Sequence, residues 1–518
     1  MLAHFPILSV LTWLPVVGAI LALCTGGDKN ANTARTIAVI VALANVLLCI
    51  PLYLAFDVGS YDMQFVEDHL WINAYQTHYA LGVDGISLLM VILTNFTGLL
   101  VVIAGCHAIK IRVSQYMAAF LILQGMIVGV FCAMDAILFY VFWEGMLIPM
   151  YLSIGMWGSA NRSYASIKFF LFTFLGSILM LVALIYLYNE TGSFMIQQFY
   201  GLPLDLSTQK WLFFAFLLAF AVKVPMFPVH TWLPDAHTEA PAGGSVVLAA
   251  LMLKLGVYGF LRFSMPIVPL ACETMAWFMI VMSLIAIVYI GLIAIVQSDM
   301  KKLIAYSSIA HMGFATLGCF MVYDIVEHMH ALQDAYMSLE GAIIQMISHA
   351  FGSGAMFLGV GMLADRYYNH SRLIKDYGGV AHTMPIFAAF FMLFAMSNVG
   401  LPGTAGFVGE FMIILSAFQT HFWVAAFASL TLLLSASYTL WMYKRVFFGP
   451  VANQSVAQFK EITWTETINY VLLAIGVFFV GLYPQPIINV LRVTIGHLLL
   501  QSLPSELAMN LTGNVLVG

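Results

Sequence analysis

Two lysines interrupt the otherwise apolar stretch AFAVKVPMFPVHTWLPDAHTEAPAGGSVVLAALMLKLGVYGFLRF, which covers residues 219–263. Lys223 stands 12 residues beyond Trp211, where its apolar segment begins, which is about 18 Å along a helix. Lys254 lies deep in the next apolar segment. Charges at this depth are costly in a membrane and usually mark an ion path, so we predict a functional role for both lysines. The alternative is a structural lysine whose side chain extends back to the lipid headgroups.

Prolines accompany the first of these lysines. Pro225 follows Lys223 by two residues, and Pro228 comes soon after. Proline lacks the backbone N–H that a helix needs and clashes with the preceding turn, so we predict a broken helix here. The carbonyl one turn earlier, at Ala221, should then be free to bind water or Lys223.

The composition excludes a soluble protein. Of 518 residues, 62% are hydrophobic and only 8% are charged, whereas about 25% are charged in soluble globular proteins. Six cysteines stand singly, with no C-x-x-C pair and no Cys/His cluster at metal-ligand spacing. We therefore predict no disulfide framework, no zinc site and no iron–sulfur cluster in the chain. The first apolar segment lacks a basic flank and is predicted to be a retained membrane span.

Hydropathy predicts fourteen membrane-spanning helices. A window of about 20 residues, the length that crosses a bilayer, finds them at 5–25, 35–56, 85–107, 115–133, 135–157, 165–189, 211–233, 243–264, 273–297, 302–322, 340–363, 385–419, 421–446 and 467–490. The remaining tail, to residue 518, is predicted to lie at the membrane interface. The intervals between spans are too short for a separate soluble domain, so redox or nucleotide chemistry must belong to a partner.

The positive charges alternate between loops, as a correct span count requires. Fourteen of the 19 basic residues lie in or beside the loops after spans 1, 3, 5, 9, 11 and 13, namely Lys29, Arg35, Lys110, Arg112, Arg162, Lys168, Lys301, Lys302, Arg366, Arg372, Lys375, Lys444, Arg445 and Lys460. The opposite side has only Lys210, Arg262 and Arg492. We place the larger set in the cytoplasm, so both termini should face away from it. Lys223 and Lys254 belong to neither side.

A second break is predicted in span 12. The stretch MSNVGLPGTAGFVGEFMIIL places Gly400, Pro402, Gly403 and Gly406 at membrane depth, and Glu410 follows. Spans 7 and 12 are five apart, and broken helices in corresponding spans indicate an inverted-repeat transporter core. We therefore predict inverted five-helix repeats in residues 115–264 (spans 4–8) and 265–446 (spans 9–13), flanked by 1–114 and 447–518. The alternative is that these small residues only permit close helix packing.

Other ionisable groups lie at membrane depth. Glu144 follows Asp135 by nine residues, about 13 Å of helix, which puts it near the midplane. A carboxylate there needs a nearby cation to stay charged, and Lys223 is the candidate. His311 and His349 lie inside spans 10 and 11; each is either a proton-conducting group or a satisfied core histidine. Weaker candidates are His230, at the inner end of span 7, and three acidic residues that we place at loops or caps, Asp84, Asp235 and Glu239.

Four stretches carry a more specific pattern: FYVFWEGMLIPMYLSIG, KVPMFPVHTWLPDAHTEAPAGGSVVLAALMLKLGVYG, QSDMKKLIAYSSIAHMG and GLPGTAGFVGEF. They resemble the antiporter-like subunits of respiratory complex I and of multisubunit cation/proton antiporters. The resemblance extends from about span 3 through span 13, and the Pro-x-x-Thr-Trp-Leu-Pro-Asp-Ala-His block is highly specific. The residue at the position of Glu410 varies between members, and a glutamate there, in a chain without a long lateral C-terminal helix, favours a complex I subunit.

The resemblance implies an all-α polytopic protein that translocates protons across the bacterial inner membrane as a subunit of NADH:quinone oxidoreductase. NADH, FMN, iron–sulfur clusters and quinone would belong to partner subunits, with no cofactor, metal or redox centre in this chain. The implied partners are the other complex I membrane subunits, including two related antiporter-like chains, and the lipid bilayer, with no nucleic acid. The implied proton-transfer residues are Glu144 and Lys223 as a coupled pair, Lys254 as the central relay, His311 and His349 as conducting groups, and Glu410 as the exchange site, with helix breaks at Pro225 and Pro402.

Two other functions stay open at this point. One is a subunit of a multisubunit sodium/proton antiporter, which would have no part in NADH oxidation or quinone reduction. The other is a passive scaffold that only holds neighbouring subunits, for which neutralising Lys223 would leave pumping intact.

Overall fold

The first part of the chain folds into α-helices and one β-hairpin. The computed structural model describes residues 5–329 and 332–503. The helices of this part are α1 (Ile7–Leu23), α2 (Ala31–Leu54), α3 (Gly85–Ala108), α4 (Val113–Cys132), α5 (Ala136–Gly145), α6 (Leu147–Trp157), α7 (Arg162–Thr191), α8 (Leu206–Lys223), α9 (Trp232–Glu239) and α10 (Ala242–Ile267). The strands are β1 (Gln64–Ile72) and β2 (Thr77–Val83).

The second part is helical in its described residues. Its helices are α11 (Ala276–Ile295), α12 (Met300–Met329), α13 (Leu332–Arg366), α14 (Pro385–Val399), α15 (Ala405–Thr420), α16 (Phe422–Phe447), α17 (Trp464–Leu482) and α18 (Gln485–Ser502). Shorter helical turns lie at Gly27–Asn30, Asn73–Tyr75, Ile196–Phe199, Pro269–Thr274, Ile374–Asp376, Val380–Thr383 and Gln454–Ala457.

Twelve of the fourteen predicted crossings are confirmed, and shorter apolar helices lie at the other two. Twelve of the helices in the described ranges are long and apolar enough to span a membrane, counting α5 with α6 as one. The shorter apolar helices are α1, at the first predicted crossing, and the broken pair α14 and α15, at the twelfth. The boundaries of the four predicted segments stay a prediction.

The last predicted span is shorter than expected. We predicted residues 467–490, but α17 ends at Leu482, and a turn at Tyr483 and Pro484 separates it from α18. Helix α18 packs against α3 and α13, so this part of the predicted interfacial tail belongs to the bundle. The rest of that tail, residues 504–518, lies outside the described residues.

A β-hairpin between α2 and α3 was not predicted. Strands β1 and β2 pair antiparallel, and a window of about 20 residues averages over strands this short. The hairpin is fixed to the bundle at its second strand, because Asp135 accepts a hydrogen bond from the His78 backbone N–H at 2.9 Å. The same carboxylate caps the N-terminus of α5, and Asp84 caps α3 directly after β2. The prediction that Asp84 lies at a cap is confirmed.

The break beside Lys223 is confirmed, but its backbone differs from the prediction. Helix α8 ends at Lys223 and α9 begins only at Trp232. The Ala221 carbonyl is not free, because it accepts a hydrogen bond from the Met226 N–H at 2.8 Å. The Val222 carbonyl accepts one from the Trp232 indole at 3.0 Å. The fold thus satisfies the acceptors that Pro225 would otherwise leave unpaired, as a buried backbone requires.

The break in span 12 is confirmed as well. Helix α14 ends at Val399, and Gly400 has φ +84°, a left-handed conformation that glycine adopts without strain. Gly406, in the first turn of α15, approaches the other side of the break so closely that a Cβ atom there would lie 2.0 Å from the Ser397 carbonyl oxygen. Gly400 therefore lets the chain turn at this break, and Gly406 lets the two sides of the break pack closely.

Charge sorting predicts the orientation of the chain. An alkaline phosphatase moiety, which is active only outside the cytoplasm, should be active when fused after Gly518 and inactive when inserted between Arg366 and Lys375. A fluorescent protein that matures only in the cytoplasm is the complementary reporter and should give the opposite pattern. Reversal of either fusion would contradict the orientation.

Candidate functional site

Six ionisable side chains lie in the middle of the bundle, on six different elements. Glu144 is near the end of α5, Lys223 ends α8, and Lys254 is in α10. Lys254 is 0% exposed and Lys223 1% exposed, whereas Glu144 is only half-buried. The three remaining groups, His311 in α12, His349 in α13 and Glu410 in α15, are all buried. Proton-transfer groups inside a membrane protein typically face a bundle interior in this way.

Lys223 has no polar partner among the described residues. Its Nζ lies 5.1 Å from the centroid of the Trp143 ring, a cation–π contact, and no hydrogen-bond acceptor reaches it. The amine stands at the C-terminal end of α8, where the helix dipole favours positive charge. The ring and the dipole offset part of the cost of burying the charge.

Glu144 and Lys223 do not form the direct ion pair that the sequence analysis expected. No contact within 4.0 Å joins them in the part of the chain that the structure describes. Glu144 instead accepts a hydrogen bond from the Ser177 hydroxyl of α7. The two charges are nevertheless near neighbours, since the Trp143 ring under Lys223 belongs to the residue before Glu144. Glu144 and Lys223 are therefore close but not in contact in this structure.

Lys254 is hydrogen-bonded to one of the predicted histidines. Its Nζ donates to His349 Nδ1 at 2.7 Å and to the Ala249 carbonyl oxygen at 2.5 Å. Ala249 lies in a π-helical turn, Leu248–Met252, directly before Lys254 in α10. Such turns widen a helix and occur often at functional sites. A bond between an amine and an imidazole nitrogen can pass a proton in either direction.

Glu410 is bonded to the other predicted histidine. His311 Nδ1 donates to Glu410 Oε1 at 2.7 Å, and the Gln345 amide donates to the same oxygen at 3.0 Å. A purely structural role for Glu410 would have it bind backbone groups around Gly400 and Pro402. Among the described residues, the hydrogen bonds of Glu410 go to side chains only.

The two bonded pairs lie next to each other. The rings of His311 and His349 are 5.7 Å apart, centroid to centroid. The Nε2 atom of each histidine and the Oε2 atom of Glu410 are buried and have no hydrogen-bond partner within the described ranges. Buried polar atoms without a protein partner are usually satisfied by internal water.

Four contributors to this site were missed in the sequence analysis. Gln345 stands one helical turn before His349 on the same face of α13, a spacing visible in the sequence. Trp143 and Ser177 gave no signal, because aromatic and hydroxyl residues are common in membrane helices. His237 lies in the quoted PDAHTEA motif; it is fully buried, stacks on Phe357 at 4.4 Å between centroids, and neither ring nitrogen has a partner among the described residues.

Two of the weaker acidic candidates, Asp235 and Glu239, form ion pairs at one end of the bundle, whereas Asp84 binds Arg262 at 2.7 Å. Asp235 binds Lys168 at 2.8 Å, and Glu239 lies 3.6 Å from Arg372. Lys301, which charge sorting placed beside a loop, is buried and donates to the Ala240 carbonyl at 2.6 Å. These contacts join α7, α9 and α12 at one end.

Comparison with known proteins identifies the family. A family model described as "NADH:quinone oxidoreductase/Mrp antiporter, TM" matches residues 133–435. The chain is 46% identical over 508 residues to NADH-quinone oxidoreductase subunit M of Rhodobacter capsulatus, which covers 95% of this chain and 96% of that one. The chain belongs to the NADH-quinone oxidoreductase subunit M family.

Solved structures share the fold of this chain. A chain of respiratory complex I from Thermus thermophilus with bound NADH aligns with a TM-score of 0.83 and 27% identity, over 95% of this chain and 99% of that one. A chain of the Mrp complex from a Dietzia species has a TM-score of 0.81 over 95% and 97% of the two chains. At 19% identity, the Mrp match shows a shared fold alone. The expected antiporter-like fold is confirmed.

Proposed function

We propose that the chain is the proton-translocating subunit M of a bacterial NADH:quinone oxidoreductase. The observation that carries this proposal is the pair of adjacent hydrogen-bonded units, Lys254–His349 and His311–Glu410, buried in the middle of the bundle. Each unit contains two titratable groups in direct contact. A scaffold has no need for four buried titratable groups, since each is costly to place there.

The proton route runs from Lys223 to Glu410. Water would join Lys223 to Lys254, and the Lys254–His349 bond would carry the proton to the centre of the bundle. The unpartnered Nε2 atoms of His349 and His311 offer places for a bridging water, because the two rings are too far apart for a direct bond. The proton then reaches Glu410, from which it is released away from the cytoplasm.

The distance between Glu144 and Lys223 regulates proton transfer along this route. At an effective dielectric constant of about 20, moving two unit charges from about 4 Å to about 8 Å apart changes their interaction by about 2 kcal/mol. That change alters the proton affinity of the amine by a factor of about 30. Moving the two side chains together and apart is therefore sufficient to protonate and deprotonate Lys223.

The energy source is redox chemistry in other subunits. NADH, FMN, iron–sulfur clusters and quinone bind partner chains in this proposal, and the neighbours of this chain are other complex I membrane subunits, two of them antiporter-like. The protein lies in the bacterial inner membrane with both termini on the non-cytoplasmic side. The second candidate function is a subunit of a sodium/proton antiporter. NADH oxidation with quinone reduction by the purified complex would favour the complex I subunit over the antiporter subunit.

The experiment that tests the proposal replaces Glu144. Glu144→Gln should lower NADH-driven proton uptake by inside-out vesicles on the order of tenfold, since the pair changes the proton affinity of Lys223 by a factor of about 30. Electron transfer should fall with it, because the two are coupled, and Glu144→Asp should retain part of both activities. Complex abundance on a native gel shows that assembly is unchanged.

Glu190→Gln is the matched control, because Glu190 is an exposed carboxylate at the end of α7, far along that helix from Ser177. It should pump like the parent. If Glu144→Gln also pumps like the parent, Glu144 does not control Lys223.

A further inference from the structure

A second cluster of ionisable groups lies at the non-cytoplasmic end of the bundle, away from the proton route. Asp324 and His328 are one turn apart on α12, and His421 lies between α15 and α16. His421 Nε2 is 3.0 Å from an Asp324 oxygen, and His328 Nδ1 is 3.5 Å from the other. No zinc site was predicted from the sequence, which has no Cys/His cluster at metal-ligand spacing. His421 is 97 residues from Asp324 in the chain, so their proximity is visible only in the fold.

The geometry of these groups suits a metal ion. One ligand atom from each residue lies within 4.8 Å of the other two. Zinc binds imidazole nitrogen at about 2.0–2.1 Å and carboxylate oxygen at about 2.0–2.2 Å in a tetrahedron, so its ligand atoms are about 3.3 Å apart. The three side chains need to shift by only about 1 Å to reach that arrangement.

The surroundings favour an ion over a simple hydrogen-bonded cluster. Asp324 is 2% exposed, so its position is held by the bundle, whereas both histidines are partly open to solvent. An ion can therefore enter from outside and meet a fixed carboxylate. The Trp277 ring packs edge-on against His421 with centroids 4.9 Å apart and orients it. Helix geometry accounts for the approach of His328, whose Nδ1 lies 3.1 Å from the Asp324 backbone carbonyl oxygen. His421 comes from a distant part of the chain, and its ring lies edge-on to that of His328 with centroids 5.3 Å apart.

We propose that Asp324, His328 and His421 bind a divalent transition-metal ion on the non-cytoplasmic face. The donor set of two imidazoles and one carboxylate matches Zn²⁺ and leaves a fourth position for water. Magnesium and calcium are disfavoured because they prefer all-oxygen sites.

Bound metal would also restrain the proton route, an effect that rests on the proposed function. The ion would tie α12 to the junction of α15 and α16. Helices α12 and α15 carry the bonded pair His311 and Glu410 near their middles. Clamping their outer ends restricts any relative movement of that pair, so the metal should inhibit pumping.

The binding test uses the purified, assembled complex. Equilibrium dialysis against Zn²⁺, followed by elemental analysis, should show one zinc fewer per complex in His328→Gln and in His421→Gln than in the parent. His382→Gln is the matched control, because the His382 ring hydrogen-bonds only the Gly449 carbonyl among the described residues and lies at the other end of the bundle. It should bind as much zinc as the parent. Equal zinc in the parent and both site variants would overturn the site.

The inhibition test uses inside-out vesicles whose lumen, which the site faces, is loaded with Zn²⁺. Lumenal zinc should lower proton uptake at least threefold more in the parent than in His421→Gln, while the two pump alike without zinc. If zinc binds as expected but inhibits the parent and His421→Gln equally, the proposed effect of the metal on pumping is wrong. Loss of pumping in the zinc-free parent itself would instead count against the proposed function, so the two failures are distinguishable.

Discussion

Replacing Lys254 with methionine should lower NADH-driven proton uptake on the order of tenfold or more while leaving the complex assembled. Lys254 is the only charged partner of His349 among the described hydrogen bonds, so methionine removes the proton carrier between the two halves of the bundle. Methionine nearly matches lysine in length and fills the same space. It also removes the desolvation cost of a buried charge, several kcal/mol per ion, so folding should not suffer. The measurement is proton uptake by inside-out vesicles, with complex abundance on a native gel.

Lys302→Met is the control for this experiment. The Lys302 side chain is 40% exposed and lies 3.9 Å from Asp235. A surface pair of this kind contributes about 0–1 kcal/mol, so the variant should pump like the parent. Normal pumping by Lys254→Met would favour the passive scaffold.

Glu410→Gln should abolish most proton transport, and Glu410→Asp should retain part of it. Glutamine keeps the size of the side chain and an oxygen that can accept from His311 and Gln345, but it cannot titrate. Aspartate titrates with a shorter reach. Both variants should assemble normally, and vesicle proton uptake again is the measurement.

A structural role for Glu410 predicts the reverse order, because glutamine preserves the observed hydrogen bonds better than aspartate. The comparison of the two variants is thus more decisive than either one alone. Glu327→Gln, on the outer turn of α12, tests whether the loss of any carboxylate on these helices impairs pumping.

The features visible in the sequence were those with a simple local cause. Fourteen crossings followed from hydropathy, and both breaks followed from proline and glycine at membrane depth, since these residues prevent regular helix regardless of packing. The buried lysines were visible because charge is so costly in a membrane. His311, His349 and Glu410 were expected to act together, and the structure brings them to one place.

The errors concern which groups contact each other. The Ala221 carbonyl was expected to be free, but Met226 in the broken region satisfies it. A direct Glu144–Lys223 pair was expected from charge alone, whereas Trp143 and Ser177 supply the actual contacts. Which side chain meets which depends on helix rotation and crossing angle, and hydropathy carries no information on either.

The hairpin of β1 and β2 illustrates a different limit. Its strands are only nine and seven residues long, so a hydropathy window of about 20 residues does not resolve them. The Asp324 cluster has the same origin as the contact errors, because its ligands meet only when α12 and the start of α16 are packed together.

The central claim is a continuous hydrogen-bonded route, and a high-resolution density map of the assembled complex tests it most directly. The account predicts ordered water between Lys223 and Lys254, at the Nε2 atoms of His349 and His311, and at Glu410 Oε2. A map in which apolar side chains close these positions, with no water joining Lys223 to Glu410, would contradict it.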